Sequence, residues 1–106
     1  MSKKRLNRGE VIDLIAEAPH LSAKRTNRTI IECIRENFLL SISYRKIETN
    51  RIIKRIVEPY ELKREGDNIY LYAYDRTGRT RNTKSFLLDN ILSAYKQDRE
   101  FRNRVF

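Results

Sequence analysis

The chain has 106 residues, 40% of them apolar and 35% charged, and its 23 Lys and Arg against 14 Asp and Glu give a formal net charge of +9. That length fits one domain burying about 65% of the surface its unfolded form exposes, and the apolar share argues against an intrinsically disordered chain. The lone cysteine, Cys33, excludes an intramolecular disulfide and a thiolate zinc cluster, and no apolar run approaches membrane-spanning length.

The first third of the chain has helical spacing. Asn7 and Glu10 stand at capping-box distance, Val11, Leu14, Ile15 and Ala18 then share one helical face, and Pro19 closes the segment. After the polar stretch His20 to Arg28, a stripe of Ile31, Ile34 and Phe38, widened by Ile30 and Cys33, predicts a second helix over Asn27 to Asn37. Cys33 is expected to be a small apolar residue on its buried face. Met1-Ser2-Lys3-Lys4-Arg5 is followed by no apolar h-region, so the expected location is cytoplasmic.

From Leu39 the period changes to two. Leu40, Ile42 and Tyr44 alternate with Ser41, Ser43 and Arg45, the pattern of a half-buried strand. Glu48-Thr49-Asn50 breaks it. A second strand, Arg51 to Val57, is expected to end near Glu58-Pro59, because proline cannot donate to a ladder. Turns at Arg64 to Asn68 and Asp75 to Arg79 bracket Asn68-Ile69-Tyr70-Leu71-Tyr72-Ala73-Tyr74-Asp75, in which three aliphatic residues alternate with three tyrosines. This central strand of a meander puts Ile69, Leu71 and Ala73 on one face and Tyr70, Tyr72 and Tyr74 on the other. Thr80 to Leu87 reads as a fourth strand, Leu88 to Ile91 as a short turn or 3₁₀ piece capped by Asp89, and Leu92 to Lys96 as a fifth strand. In the carboxyl-terminal segment, Phe101 and Phe106 are candidates to pack on the sheet. The fold class expected is α+β: two short amino-terminal helices, then a five-stranded barrel that closes its own edges.

Several short motifs in this order resemble the WYL domain, a small β-barrel of SH3-like or Sm-like type. They are Ile42-Ser43-Tyr44, Arg55-Ile56-Val57-Glu58-Pro59-Tyr60-Glu61-Leu62, the name-giving triplet at Ile69-Tyr70-Leu71, and Phe86-Leu87-Leu88-Asp89-Asn90-Ile91, spread over residues 30 to 101. The resemblance implies a regulatory module that binds nucleic acid or a nucleotide-like anion in a basic groove, without catalysis or cofactor, in transcription-factor, CRISPR or phage-defence settings. Ile69 replaces the usual Trp of the triplet, and Lys84, Leu87 and Asn90 stand where the family's late motif carries arginines. Lys84 keeps the charge without the bidentate fork of Arg. The division expected is a basic helical extension over 1–29 and a WYL-like barrel domain with its leading helix over 30–106, resembling the free-standing form, too short in front for a winged helix-turn-helix.

The strongly basic composition points to an anionic partner, since cations attract polyanions at long range and release counterions on contact; a charge that merely serves solubility is the plain alternative. Exposed aromatics beside cations hold single strands by stacking bases and neutralising phosphates. Lys54, Arg55, Arg79, Arg81 and Lys84 are therefore the expected phosphate contacts, and Tyr44, Tyr70 and Tyr72 the stacking or groove-shaping residues. Arg81 and Lys84 fall on opposite faces of a regular strand. The competing reading covers the tyrosine face with the helices or a subunit interface, making the chain a protein-interaction or oligomerisation module, a homo-oligomer or a component of a regulatory or defence complex. Catalysis has little support. His20 has no nucleophile or metal-ligand partner in the sequence, and Glu48, Glu58, Glu61, Asp67, Asp75 and Asp89 are scattered, so no metal site is expected.

Overall fold

The computed structural model describes residues 21, 23–78, 81–102 and 104. The first expected helix, the His20 connector, Arg79 and Phe106 lie outside these residues. Among those described there is one α-helix, α1 (Arg25–Glu36), starting two residues before the expected Asn27. It ends at Asn37, whose φ of 60° is a left-handed conformation that Asn tolerates, and whose N–H donates to the Cys33 carbonyl. Ile30, Ile31, Cys33 and Ile34 form its buried face, so the apolar stripe read in the sequence is the one the fold uses. The basic residues and Glu32 and Glu36 remain on the rest of its surface.

Five strands follow: β1 (Phe38–Arg45), β2 (Ile52–Glu65), β3 (Asn68–Asp75), β4 (Thr83–Leu87) and β5 (Ile91–Glu100), with a 3₁₀ turn at Leu88–Asn90 between the last two. They form one antiparallel sheet in the order β4-β3-β2-β1-β5. The four ladders leave β4 and β5 as the two ends of that order, and no pairing between them closes the sheet among the described residues. Asp89 makes no capping bond; Leu87 stands at the N-cap of the 3₁₀ turn.

β2 is twice the expected length. Its first half, Ile52 to Val57, pairs with β1, and its second half, Val57 to Glu65, pairs with β3. Pro59 lies just beyond the β1 ladder, where its missing N–H costs no bond on that side, and the register shifts between Pro59 and Glu61. A bulge at the hand-over bends the strand, so one strand serves both halves of the sheet. The β2–β3 hairpin turns on Gly66 and Asp67 between the paired Glu65 and Asn68, with φ +64° at Gly66 only. A positive φ at the first central position alone is the two-residue hairpin geometry that favours Gly there.

One face of the sheet carries Leu40, Ile42, Tyr44, Val57, Leu62, Leu71, Ala73, Phe86, Ile91 and Ala94, which form the core with Ile30, Ile31, Cys33 and Ile34 of α1. Each buried Leu or Ile contributes about 1.5–3 kcal/mol. Lys96 of β5 ties the helix to the sheet, with its ammonium 2.7 Å from Glu32, 2.8 Å from Glu36, and 4.3 Å above the Phe38 ring. Glu32 and Glu36 are one helical turn apart, so a single cation reaches both.

Candidate ligand cleft

Strand alternation sends Arg55, Asp75 and Lys84 to the core-facing side of β2, β3 and β4. Val57 pairs with Asp75, and Ala73 pairs with Lys84, so the three charges meet where the apolar core ends. Around them opens a cleft of about 630 Å³ lined by Tyr44, Lys46, Ile47, Glu48, Ile53, Arg55, Tyr70, Asp75, Thr83, Lys84, Ser85 and Phe86. The β1–β2 turn with the ends of those strands, and the edge of β4, where Thr83 to Phe86 from both faces and Tyr70 of β3 contribute, form its walls.

Asp75 is completely buried and accepts from every side. Its Oδ2 lies 2.8 Å from Lys84 Nζ and 3.3 Å from Arg55 Nε. Its Oδ1 accepts the N–H groups of Thr77 and Gly78, both at 2.9 Å, and the Thr77 hydroxyl at 3.3 Å. Burial by itself would push the Asp75 pKa up; the Lys84 hydrogen bond and the two backbone N–H groups outweigh it, and the carboxyl is held below its ordinary value. Arg55 gives Nη1–H to the Lys54 carbonyl at 2.9 Å. Its Nε–H is buried without a hydrogen bond, because the approach to Asp75 lacks alignment. Tyr44 and Phe86 meet edge to face at 5.1 Å, and the Tyr44 hydroxyl accepts the Leu87 N–H at 3.3 Å, which fixes both rings at the cleft wall.

Four of the eight residues singled out in the sequence therefore converge here: Tyr44, Arg55, Tyr70 and Lys84. Three do not. Lys54 is exposed on the opposite face of the sheet, paired with Ser43. Arg81 is exposed ahead of β4. The Tyr72 hydroxyl donates to Glu65 at 3.0 Å, and the ring stands beside Lys63, 5.5 Å from its ammonium. Arg79 lies outside the described residues.

The tyrosine face has acidic as well as basic neighbours. Tyr74 pairs with Glu58, and Tyr72 with Glu61. Glu58, 1% exposed, is bonded by the Tyr60 hydroxyl at 2.7 Å, by Arg104 at 2.8 and 3.0 Å and by Arg76 at 3.1 Å. Arg104 also covers the Tyr74 ring, with its guanidinium carbon 3.8 Å from the ring centre. Phe101 packs edge to face on Tyr60 at 5.4 Å, as expected of a carboxyl-terminal aromatic. It is this segment, rather than α1, that lies over the Tyr74 end of the ladder; α1 packs chiefly on β5.

Asp75 and Lys46 line the cleft without having been among the eight residues singled out, and Asp75 is the one at its centre. Its signal was available: it continues the inward alternation of Leu71 and Ala73, and a carboxylate at an inward strand position demands buried cations. Among the described residues, no group of three or more His, Cys, Asp or Glu is placed to hold a metal ion, and no helix is long and apolar enough to cross a membrane.

Residues 25–96, which span α1 and most of the sheet, match the WYL domain family model. The chain belongs to the WYL domain family. Within this WYL domain, Ile69-Tyr70-Leu71 is the β3 segment that points Leu71 into the core and lends Tyr70 to the cleft. A solved structure similar to it is the proteasome accessory factor B/C (PafBC) of Arthrobacter aurescens, with a TM-score of 0.66 and 24% sequence identity, over 78% of this chain and 12% of that one. At that identity the likeness is one of fold, and the WYL domain here corresponds to a small part of that protein's length. No curated protein matches the chain.

Proposed function

We propose that this WYL domain is a non-enzymatic regulatory or accessory binding module whose cleft takes single-stranded nucleic acid or a nucleotide-like anion. The observation that carries this reading is the convergence of Arg55, Lys84 and Lys46 with Tyr44 and Tyr70 on one cleft. Cations beside aromatic faces are the combination that neutralises a phosphate while a base stacks. The Tyr70 hydroxyl and the Lys46 ammonium make no hydrogen bond among the described residues, so both are available to a ligand. Sheet order and the bent β2 support an SH3-like or Sm-like barrel as the frame, and the cytoplasm is the compartment proposed.

The test is a fluorescence titration of the protein with single-stranded DNA and RNA at several salt concentrations, with Tyr70→Ala and Lys84→Gln alongside. Binding at low salt that weakens as salt rises and falls at least tenfold in either variant is expected. Absence of binding at low salt, or insensitivity to both substitutions, would sink the reading.

A second reading, a protein-interaction or oligomerisation surface, is favoured by Ile52 and Tyr95, which are 55% and 66% exposed on the outer face of β2, β1 and β5. Light scattering decides it: Tyr95→Ala dissociates an oligomer if that face is the interface.

A further inference from the structure

The two cations at the heart of the cleft already face a negative charge. Lys84 and Arg55 share Asp75 Oδ2, and the other oxygen is occupied by backbone N–H groups. Three cations, Lys46, Arg55 and Lys84, stand against two carboxylates, Glu48 and Asp75, in the lining, leaving a single net positive charge. The cations still retain donors. Lys84 has three N–H bonds and uses one on Asp75; of the five N–H donors of Arg55, the buried Nε–H faces Asp75 and one Nη1–H bonds the Lys54 carbonyl, which leaves Nη donors over; and the two side chains keep 34% and 27% of their exposure. A site with open donors and a net charge of one suits a ligand with one negative charge. A triphosphate brings several charges toward a carboxylate that is completely buried and poorly screened.

We infer that Asp75 is the charge-selecting residue of the cleft, admitting a singly charged phosphodiester and disfavouring polyphosphates. The inference rests on the anion-binding reading above. Gly78 gives the arrangement a built character. A side-chain carbon there would collide with the Asp75 carboxylate and come within 2.8 Å of Lys84 Nζ, so the loop closes on the ion pair only with glycine at that position. Asp75→Asn is close to isosteric: its Oδ1 can still accept from Thr77 and Gly78, while its Nδ2, a donor, no longer accepts from Lys84 and the charge opposing the ligand is gone.

The experiment compares two probes by calorimetry at low salt, using the full chain: adenylyl-adenosine, with one phosphodiester charge, and adenosine triphosphate. Wild type is expected to prefer the dinucleotide, and Asp75→Asn to shift the ratio of the two affinities at least tenfold toward the triphosphate. Asp67→Asn, in the β2–β3 turn and outside the cleft lining, changes overall charge by the same amount and is expected to leave the ratio unchanged. An unchanged ratio in Asp75→Asn with dinucleotide binding intact overturns the inference alone, as does an equal shift in Asp67→Asn. Should Asp75→Asn fail to fold, the wild-type ratio still decides, because a preference for the triphosphate contradicts charge selection. If neither probe binds wild type, the reading of the cleft falls, and this inference with it.

Discussion

Asp75 also links the cleft to stability. Burial opposes its ionisation, yet Lys84 and the Thr77 and Gly78 N–H groups hold its pKa below the ordinary 3.8. A carboxyl whose folded pKa is depressed contributes stability at neutral pH, and that contribution is lost as pH falls below about 3.8 toward the folded value. Urea midpoints measured from pH 6 to pH 2 are expected to fall in that acid window, and to fall less steeply in Asp75→Asn. Gly78→Ala is expected to destabilise by about 1–3 kcal/mol, because the added methyl overpacks a site already filled by an ion pair; a urea midpoint within experimental error of wild type would contradict the steric account. Cys33 is a simpler case. Burial, reinforced by Glu32, pushes its thiol up to about 12, so it has almost no thiolate at neutral pH. Its labelling by a thiol reagent at pH 8 is expected to track global unfolding in urea, and rapid labelling of the native protein would refute this.

At the scale of elements, the alternating strands and the amphipathic stripe of α1 were legible because they depend on local period alone. Leu40, Ile42 and Tyr44 are buried as their spacing requires, and the hairpins at Gly66 and before β4 lie where the turn residues placed them. Pro59 misled for a physical reason. A strand N–H faces one neighbour only, so proline is excluded where that neighbour needs the bond, and β2 changes neighbours at this residue. β5 runs four residues beyond the expected Lys96, since its polar end pairs Glu100 with Phe38 and the Phe101 N–H reaches the Asn37 carbonyl at 2.9 Å. That end is held by Glu58 and Tyr60 of β2 together with Arg104, which lies 46 and 44 residues further along the chain. Burial and the Glu58 hydrogen bond push the Tyr60 hydroxyl well above its ordinary pKa. Glu58→Gln is expected to weaken this clasp and speed hydrogen exchange at the Phe101 and Arg104 amides several-fold, with the amides of Leu40 and Ile42 unaffected; uniform acceleration would instead indicate global destabilisation.

For the whole molecule, net charge overstates what the cleft itself presents. Among the described residues, cations stand on α1 and on both faces of the sheet, and the cleft's three cations are offset by two carboxylates. With about 0.7 counterions released per phosphate neutralised on a single strand, three cations give a slope of log affinity against log salt of about −2 at most. A slope steeper than about −3 would mean that Lys54, Arg81 or other cations outside the cleft also carry phosphate.

The α+β class, the WYL resemblance, the strand that bears Tyr70 and the cationic character of the chain were legible in the order of residues, because periodicity, turn residues and composition act locally or add up without regard to position. Which cations meet was decided by tertiary structure. Arg55, Asp75 and Lys84 come from three strands, and register puts them on the inner face of one cleft while it turns Lys54 outward and leaves Tyr72 beside Glu65. In a sheet a shift of one residue reverses the face of every side chain, so the site depends on pairings between strands that the order of residues along one strand does not contain.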